Sequence, residues 1–348
     1  MGRRIIRFLF VLVLLVIVAG AAGAWFVFER VSAPYRGYGG VEQFVDLVPG
    51  DGTQVIGRKL VDAGVVRDRW VFRLALWRSN AARRLMAGEY RFDRPMTPLE
   101  VVEKLARGDV YLRAITFPEG LNITEMSRLF ESHGFGPASD FVKAARRAEL
   151  IHDLDPAARD LEGYLFPETY TLSRRAGAPE LVRLMVARFH QVFSPDLGQA
   201  AASHGLSVRQ AVTLASVVEK ETARLEERPT VAGVYLERLR IGMALQCDPT
   251  VIFALQIAGR YRGNLTKDNL AFDSPYNTYR YRGLPPGPIA APSRTSLEAA
   301  ASPAATSYLY FVSRNDGSHE FARTLDEHNR NVFKYQVQYF RQKRQGQR

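Results

Sequence analysis

The sequence predicts an α+β protein carried on a single N-terminal membrane helix, and three observations carry that prediction. The run Phe8–Phe28 is 21 residues long and holds no charge, no Pro and no Asn or Gln. Between residues 41 and 117, short β-prone runs alternate with amphipathic helical ones. From Pro118 onward helical periodicity dominates, interrupted by one Pro-rich segment and one hairpin signal. The expected architecture is a transmembrane helix, a small α+β module, and a mainly helical domain with a β-hairpin.

An uninterrupted apolar run beyond about 18 residues is read as a membrane span. It excludes a plain cytosolic enzyme. Arg3, Arg4 and Arg7 precede the run, which keeps residues 1–7 cytoplasmic and sends the bulk of the chain across the membrane. A cleaved signal peptide competes, because Ala22-Gly23-Ala24 fits a small-residue cleavage site. Against it, Trp25-Phe26-Val27-Phe28 prolongs the apolar run past that site, which favours a retained helix over 8–28. Residues 29–40, with Pro34, Gly37, Gly39 and Gly40, read as a linker.

In the module, Val41–Val48 is a strand ended by Pro49-Gly50-Asp51-Gly52. Thr53 caps a helix stopped by Gly64, and Asp68 opens a second one with Trp70, Val71, Leu74 and Trp77 on one side, read as module core. Ala87–Phe92 is a strand. Thr97-Pro98-Leu99-Glu100 is a capping box, Gly108 closes its helix, and Val110–Phe117 is the third strand.

In the second part, Asn122 or Thr124 caps a helix ending near Gly134. Further helices are expected at about 139–149, 156–162 and 179–193. Ser207-Val208-Arg209-Gln210 is a capping box, Pro229 restarts a helix that Gly242 stops, and Asp248-Pro249 caps another through about Ala258. Residues 273–293 hold too many Pro and Gly for a regular element, and a loop of that length is usually functional or mobile. Tyr308–Ser313 and Ser318–Ala322, joined by Asn315-Asp316-Gly317, form the hairpin, and Thr324–Glu327 caps the last helix.

The composition is that of a globular protein, 47% hydrophobic and 24% charged in 348 residues. The net charge is +11, and the first thirty residues account for only a small part of it. Outside the cytoplasm such a surface meets anionic lipid or an anionic wall polymer rather than nucleic acid. Cys247 is the one cysteine, so no internal disulfide forms, and it reads as a small buried hydrophobe. The six histidines are scattered and no HExxH or CxxC occurs, so neither metal nor cofactor is expected.

The helix after Ser207 carries the chemistry. Val208, Ala211, Val212, Ala215 and Val218 form its apolar stripe, and Glu219 falls on the same face. A carboxyl aimed inward is costly to ionise and suits a proton donor, which glycosidic cleavage needs because the departing sugar oxygen leaves poorly until protonated. A helix-end Glu that caps a neighbour or pairs with an arginine fits the spacing equally well. A second carboxylate is not evident. Glu226 lies about 10 Å along the axis if the helix continues, and Glu162, Glu168 and Asp248 are the other acids able to approach in space.

The run Leu214-Ala-Ser-Val-Val-Glu219-Lys-Glu221-Thr222 resembles the core motif of the YceG-like, or MltG, family of membrane-anchored endolytic lytic transglycosylases. The agreement continues through Glu227-Arg228, Val231–Leu236, Arg238–Met243, Leu245-Gln246-Cys247-Asp248-Pro249-Thr250-Val251 and Ser274-Pro-Tyr276-Asn277-Thr278-Tyr279. Gly283–Ile289, Leu309–Val312, Asp316-Gly317, His319 and Glu327-His328-Asn329 extend it, as does Leu161–Tyr170 upstream. Cys247 departs from the small polar residue expected there. The resemblance implies a LysM-like module over 41–117 and a catalytic domain over 118–348.

It further implies that Glu219 is the catalytic glutamate. Glu219 would cleave the bond between N-acetylmuramic acid and N-acetylglucosamine, leaving 1,6-anhydromuramyl ends and terminating nascent strands. The implied partners are glycan strands, the inner membrane and peptidoglycan synthases, with the C-terminal domain in the periplasm. Gln246, Asp248, Tyr276, Asn277, Tyr279, Glu162 and Glu168 are candidate substrate contacts, although Asp248 equally suits a plain N-cap. His319 and His328 are expected to hold the hairpin to the last helix. A non-catalytic wall-binding scaffold and a water-using glycan hydrolase are the competing functions.

Overall fold

A computed structural model describes residues 2–346, with side chains from Arg7 to Lys343. The side chains of Arg3, Arg4 and Arg344 lie outside the described residues. The chain is mixed helix and sheet and divides into two compact units, 1–113 with 172–175, and 114–171 with 176–348.

The first unit begins with α1 (Gly2–Ser32), whose stretch Arg7–Ser32 is long and apolar enough to cross a membrane. The expected linker is instead tied down. Val31 is buried, Tyr35 exchanges backbone hydrogen bonds with Met96, and the Gly37 amide donates to the Gly64 carbonyl at 2.7 Å. The glycines there supply close backbone approach rather than slack: a Cβ on Gly64 would sit 2.7 Å from the Gly37 carbonyl carbon.

β1 (Gln43–Leu47) leads into α2 (Thr53–Asp62) and α3 (Arg69–Ser79), and β2 (Gly88–Phe92) returns antiparallel to β1 with Val45 opposite Tyr90. α4 (Pro98–Arg107) has the expected capping box and ends at Gly108 in the left-handed conformation. The cap of α2 is Gly52 rather than Thr53. The core gathers Leu47, Leu60, Phe72, Tyr90, Phe92 and Leu105.

The stripe read on α3 is corrected. Val71, Phe72, Ala75 and Leu76 face the core, while Trp70 and Trp77 are 42% and 79% exposed. The helix has two apolar faces, and periodicity alone does not say which one packs.

β3 (Leu112–Thr116) and β4 (Thr169–Ser173) form a second two-stranded sheet, and the chain changes unit within each strand. In the second unit, α5 (Ile123–Ser132) starts at Asn122 with a capping box to Glu125, and α6 (Ala138–Ala145) follows. The helix expected over 156–162 is a series of turns. The segment's hydrogen bonds go elsewhere, with the Leu161 amide donating to the Ala145 carbonyl.

α7 (Ala178–Val192), α8 (Pro195–Ser203), α9 (Val208–Glu221), α10 (Arg228–Arg240), α11 (Asp248–Ile257) and α12 (Arg294–Ala301) complete the helical body. Sequence periodicity shows neither β4, α8 nor α12, all of which are short. Every residue of α9 from Ala211 to Val218 is buried, because α8, α10, α11 and α12 all pack on it.

β5 (Tyr310–Ser313) and β6 (His319–Ala322) pair antiparallel, with Phe311 opposite Phe321. α13 (Leu325–Val332) continues through a wider turn at 333–338 into α14 (Tyr339–Gly346). His328 stacks on Tyr310 and so joins the last helix to the hairpin. His319 does not. It binds Glu227 through Nδ1 at 2.7 Å and tethers the hairpin to the turn before α10.

Candidate active site

Ser207 fixes the start of α9, since its Oγ accepts from the Gln210 amide and its own amide donates to Gln210 Oε1 at 2.9 Å. Three turns on, the helix delivers Glu219 with a side chain only 6% exposed. Glu219 Oε1 accepts from Arg228 Nη2 at 2.8 Å, and Oε2 accepts from the Ser293 amide at 2.8 Å and from Ser293 Oγ at 2.5 Å.

Arg228 is itself buried and donates through Nη1 to Ser293 Oγ and to Thr295 Oγ1. The result is a closed ring of carboxylate, guanidinium and hydroxyl. Ser293 is the N-cap of α12, so the carboxylate also faces the positive end of that helix. Burial of Glu219 is thus matched by a buried cation and oriented dipoles rather than left uncompensated. The Arg228 Nε has no partner among the described residues.

A Cβ on Gly120 would lie 3.7 Å from Glu219 Cγ and 3.5 Å from Lys220 Cδ, so the chain at Gly120 passes close beside the site. The segment is held there because the Gly120 amide donates to the Ala291 carbonyl, the Ala291 amide donates to the Leu121 carbonyl, and Lys220 Nζ reaches the Gly120 carbonyl at 2.9 Å. A cavity of about 310 Å³ flanks this point, lined by Gly120, Lys220, Phe253, Gln256 and Ile289. It shares Asn122, Glu125, Gln256 and Tyr261 with a neighbouring cavity of about 280 Å³. A larger depression of about 950 Å³ lies at the opposite end of α9, beside Leu206 and Gln210, away from the carboxyl.

The other acids take different roles. Glu226 sits on a turn after α9 has ended and pairs with Arg224, so the axial estimate of its distance does not apply. Glu168 is exposed and paired with Arg188 at 2.6 Å. Glu162 accepts from the Ile123 amide at the start of α5, and burial pushes its carboxyl up to about 8, with Asp160 and Glu125 adding to the effect. It shares a cavity of about 230 Å³ with Tyr276, whose ring packs 4.9 Å from Phe253.

Asp248 is the first residue of α11 rather than its cap, which is Cys247, and its Oδ1 accepts from Tyr279 Oη at 2.6 Å. Burial and that bond raise the Tyr279 phenol. Gln246 is exposed and holds a φ of +50°, which turns the chain into α11. Asn277 is fully buried and spends its amide on the Leu270 and Phe272 carbonyls and the Tyr279 amide, so it shapes the Pro-rich loop from within. Cys247 is buried, as expected, and its thiol donates to Glu221 Oε2 at 3.3 Å.

Arg228, Ser293 and Thr295 went unnoticed in the sequence reading. Arg228 stands inside the matching motif but carried no assigned role. Ser293 was visible only as the end of the Pro-rich stretch, because the helix it caps is eight residues long.

Comparison with known proteins gives the same picture. The model of the YceG-like family matches residues 45–334. An endolytic murein transglycosylase of Bacillus subtilis (strain 168) is 29% identical over 307 residues, covering 84% of each chain. One of Streptococcus pneumoniae serotype 2 (strain D39) is 30% identical over 318 residues, covering 83% of this chain and 57% of the relative. The crystal structure of a yceG-like protein from Listeria monocytogenes superposes with a TM-score of 0.57 at 29% identity, over 83% of this chain and 98% of that one. With a family match running through both units and the Glu219 motif inside it, the chain belongs to the YceG-like family.

Proposed function

We propose that the chain is a membrane-anchored lytic transglycosylase that cuts peptidoglycan endolytically with Glu219 as its one catalytic carboxyl. The observation that carries the reading is a nearly buried carboxyl held by Arg228 and Ser293 and packed beside Gly120, which with Lys220 lines a cavity of about 310 Å³. Two close relatives bear the name endolytic murein transglycosylase.

Glu219 gives a proton to the glycosidic oxygen, and the bond from the muramic C1 to that oxygen breaks. The C6 hydroxyl of the same muramic residue then attacks C1 and returns its proton to Glu219. A 1,6-anhydro ring closes and no water is consumed. The internal nucleophile has a high effective concentration, so no second carboxylate is required to activate a water.

All three hydrogen bonds at Glu219 point toward it. Proton donation therefore needs one of them to turn away, and the Ser293 hydroxyl is free to rotate while its amide stays fixed. The Arg228 guanidinium then stabilises the carboxylate formed as the proton leaves. Tyr276, Glu162, Gln246 and the Tyr279–Asp248 pair are the proposed sugar contacts. Asn277 supports the loop, and Glu168 acts at most through its arginine partner.

Residues 41–117 act as the LysM-like module, and α1 places the rest of the chain on the periplasmic side, where new strands emerge next to their synthases. Terminating those strands is the resulting cellular role. Mass spectrometry of the products decides the class. Anhydro ends that vanish in Glu219→Gln support the proposal. Reducing ends would indicate a hydrolase, and no release by the wild-type chain would indicate a scaffold.

A further inference from the structure

α3 carries one apolar face more than its fold uses. At 100° per residue, Val71, Phe72, Ala75 and Leu76 point into the core, while Trp70, Leu74 and Trp77 form a second stripe at i, i+4 and i+7 on the opposite side. Trp77 is 79% exposed and Trp70 42%. Arg69, Arg73 and Arg78 flank this stripe, exposed and with no acceptor among the described residues. An apolar ridge with tryptophans at its ends and arginines at its margins has the composition of a helix lying in a lipid headgroup layer.

The position of α3 in its unit says which surface it meets. Asp68, which precedes its first turn, holds Arg30 at 2.9 Å, and Arg30 stands in the last turn of α1 with its guanidinium over Phe26. The apolar face of α1 ends at Phe28, and burial against the module begins at Arg30 and Val31. The start of α3 is therefore fixed where α1 leaves the apolar layer. We propose that the Trp70–Leu74–Trp77 face docks on the headgroups of the same anionic bilayer that α1 spans. The inference rests on reading α1 as a membrane span. It gives the module a lipid-facing role beside any contact with glycan.

The chain has three tryptophans, which makes the test direct. The full chain is reconstituted into phosphatidylcholine–phosphatidylglycerol vesicles as two single-tryptophan forms. One is Trp25→Phe with Trp70→Phe, leaving Trp77; the other is Trp70→Phe with Trp77→Phe, leaving Trp25. Trp77 should be quenched by lipids brominated near the headgroup and shielded from aqueous iodide. Trp25 should be quenched by bromines deep in the acyl chains. Each of Arg69→Gln, Arg73→Gln and Arg78→Gln should weaken the docked state about fivefold in anionic vesicles, and none should do so in purely zwitterionic ones. Trp77 open to iodide while Trp25 is quenched would overturn the docking alone. An unquenched Trp25 would overturn the span and the docking with it. Trp77 shielded only after glycan strands are added would assign the stripe to glycan and overturn the lipid assignment.

Discussion

The last turn of α9 carries two carboxyls two residues apart, and their surroundings differ in the donors they offer. Glu219 meets a buried guanidinium, a backbone amide and a hydroxyl, and its neighbours Lys220 and Gly120 line a cavity. Glu221, rotated by about 200°, meets the Cys247 thiol and the buried Tyr235, and among the described residues it has no ion pair with an arginine or lysine. Burial pushes the Glu221 carboxyl above its ordinary range against the hydrogen bonds from Cys247 and Tyr235, and Glu221 in turn helps push the thiol up. Burial is common to both carboxyls. On the proposed reading, what separates a reactive one from a packing one is the set of donors around it.

Four experiments break or sharpen that contrast. The largest effect belongs to Glu219→Gln, which keeps the shape but removes the transferable proton. Turnover should fall by about 10²–10⁴-fold, read as anhydromuropeptide release, with Glu221→Gln retaining most of the activity. Equal losses in the two variants would erase the distinction.

Arg228→Leu comes next. It strands the Glu219 charge among Ser293 and Thr295, and should cost about 3–5 kcal/mol of stability by denaturant titration. The double change with Glu219→Gln should recover much of that cost, because no buried charge remains unpaired.

Ser293→Ala removes the cap of α12 and one of three bonds to Glu219 while leaving the amide. A loss of about 1 kcal/mol is expected, with turnover falling further than the substrate constant changes. Ser293→Thr should restore both.

The smallest effect is in the pH profile. A carboxyl raised in the folded state binds its proton more tightly there than in the unfolded chain. Its stabilisation is fully present below the ordinary value of 4.5 and is lost as pH climbs toward the folded value. Wild-type stability should therefore decline from about pH 4.5 upward, the Glu162 share ending near 8. Glu162→Gln and Glu221→Gln should each flatten that slope. A slope that steepens would mean the carboxyls are ionised in the fold.

Much of this was legible in the chain, for identifiable reasons. The caps at Thr97, Ser207 and Thr324 are local hydrogen-bond patterns, and each starts the helix it signals, while of the two caps offered for α5 the helix takes Asn122. The Glu219 face follows from the 3.6-residue period of α9. The ring around Glu219 does not, since Ser293 is 74 residues away along the chain and its helix follows a Pro-rich stretch with no turn of apolar spacing before it. The Trp70 stripe shows the limit of periodicity in another way, because the period reveals that a face is apolar and not what it touches. The helix expected over 156–162 is missing because tertiary hydrogen bonds win there, the Leu161 amide going to the Ala145 carbonyl.

The tied-down segment after α1 has a mechanical consequence. A slack linker would let the first unit tumble at any angle to its anchor. Here Arg30, Tyr35 and Gly37 are each bonded to the body of that unit, so the anchor and the module turn together as one piece. If α1 spans the membrane as proposed, these bonds limit how far the module can swing on it, and the unit would act as a gauge of standing height rather than a tether of variable reach. Lengthening the chain between Ser32 and Tyr35 would detune that height without altering any side chain of the catalytic site.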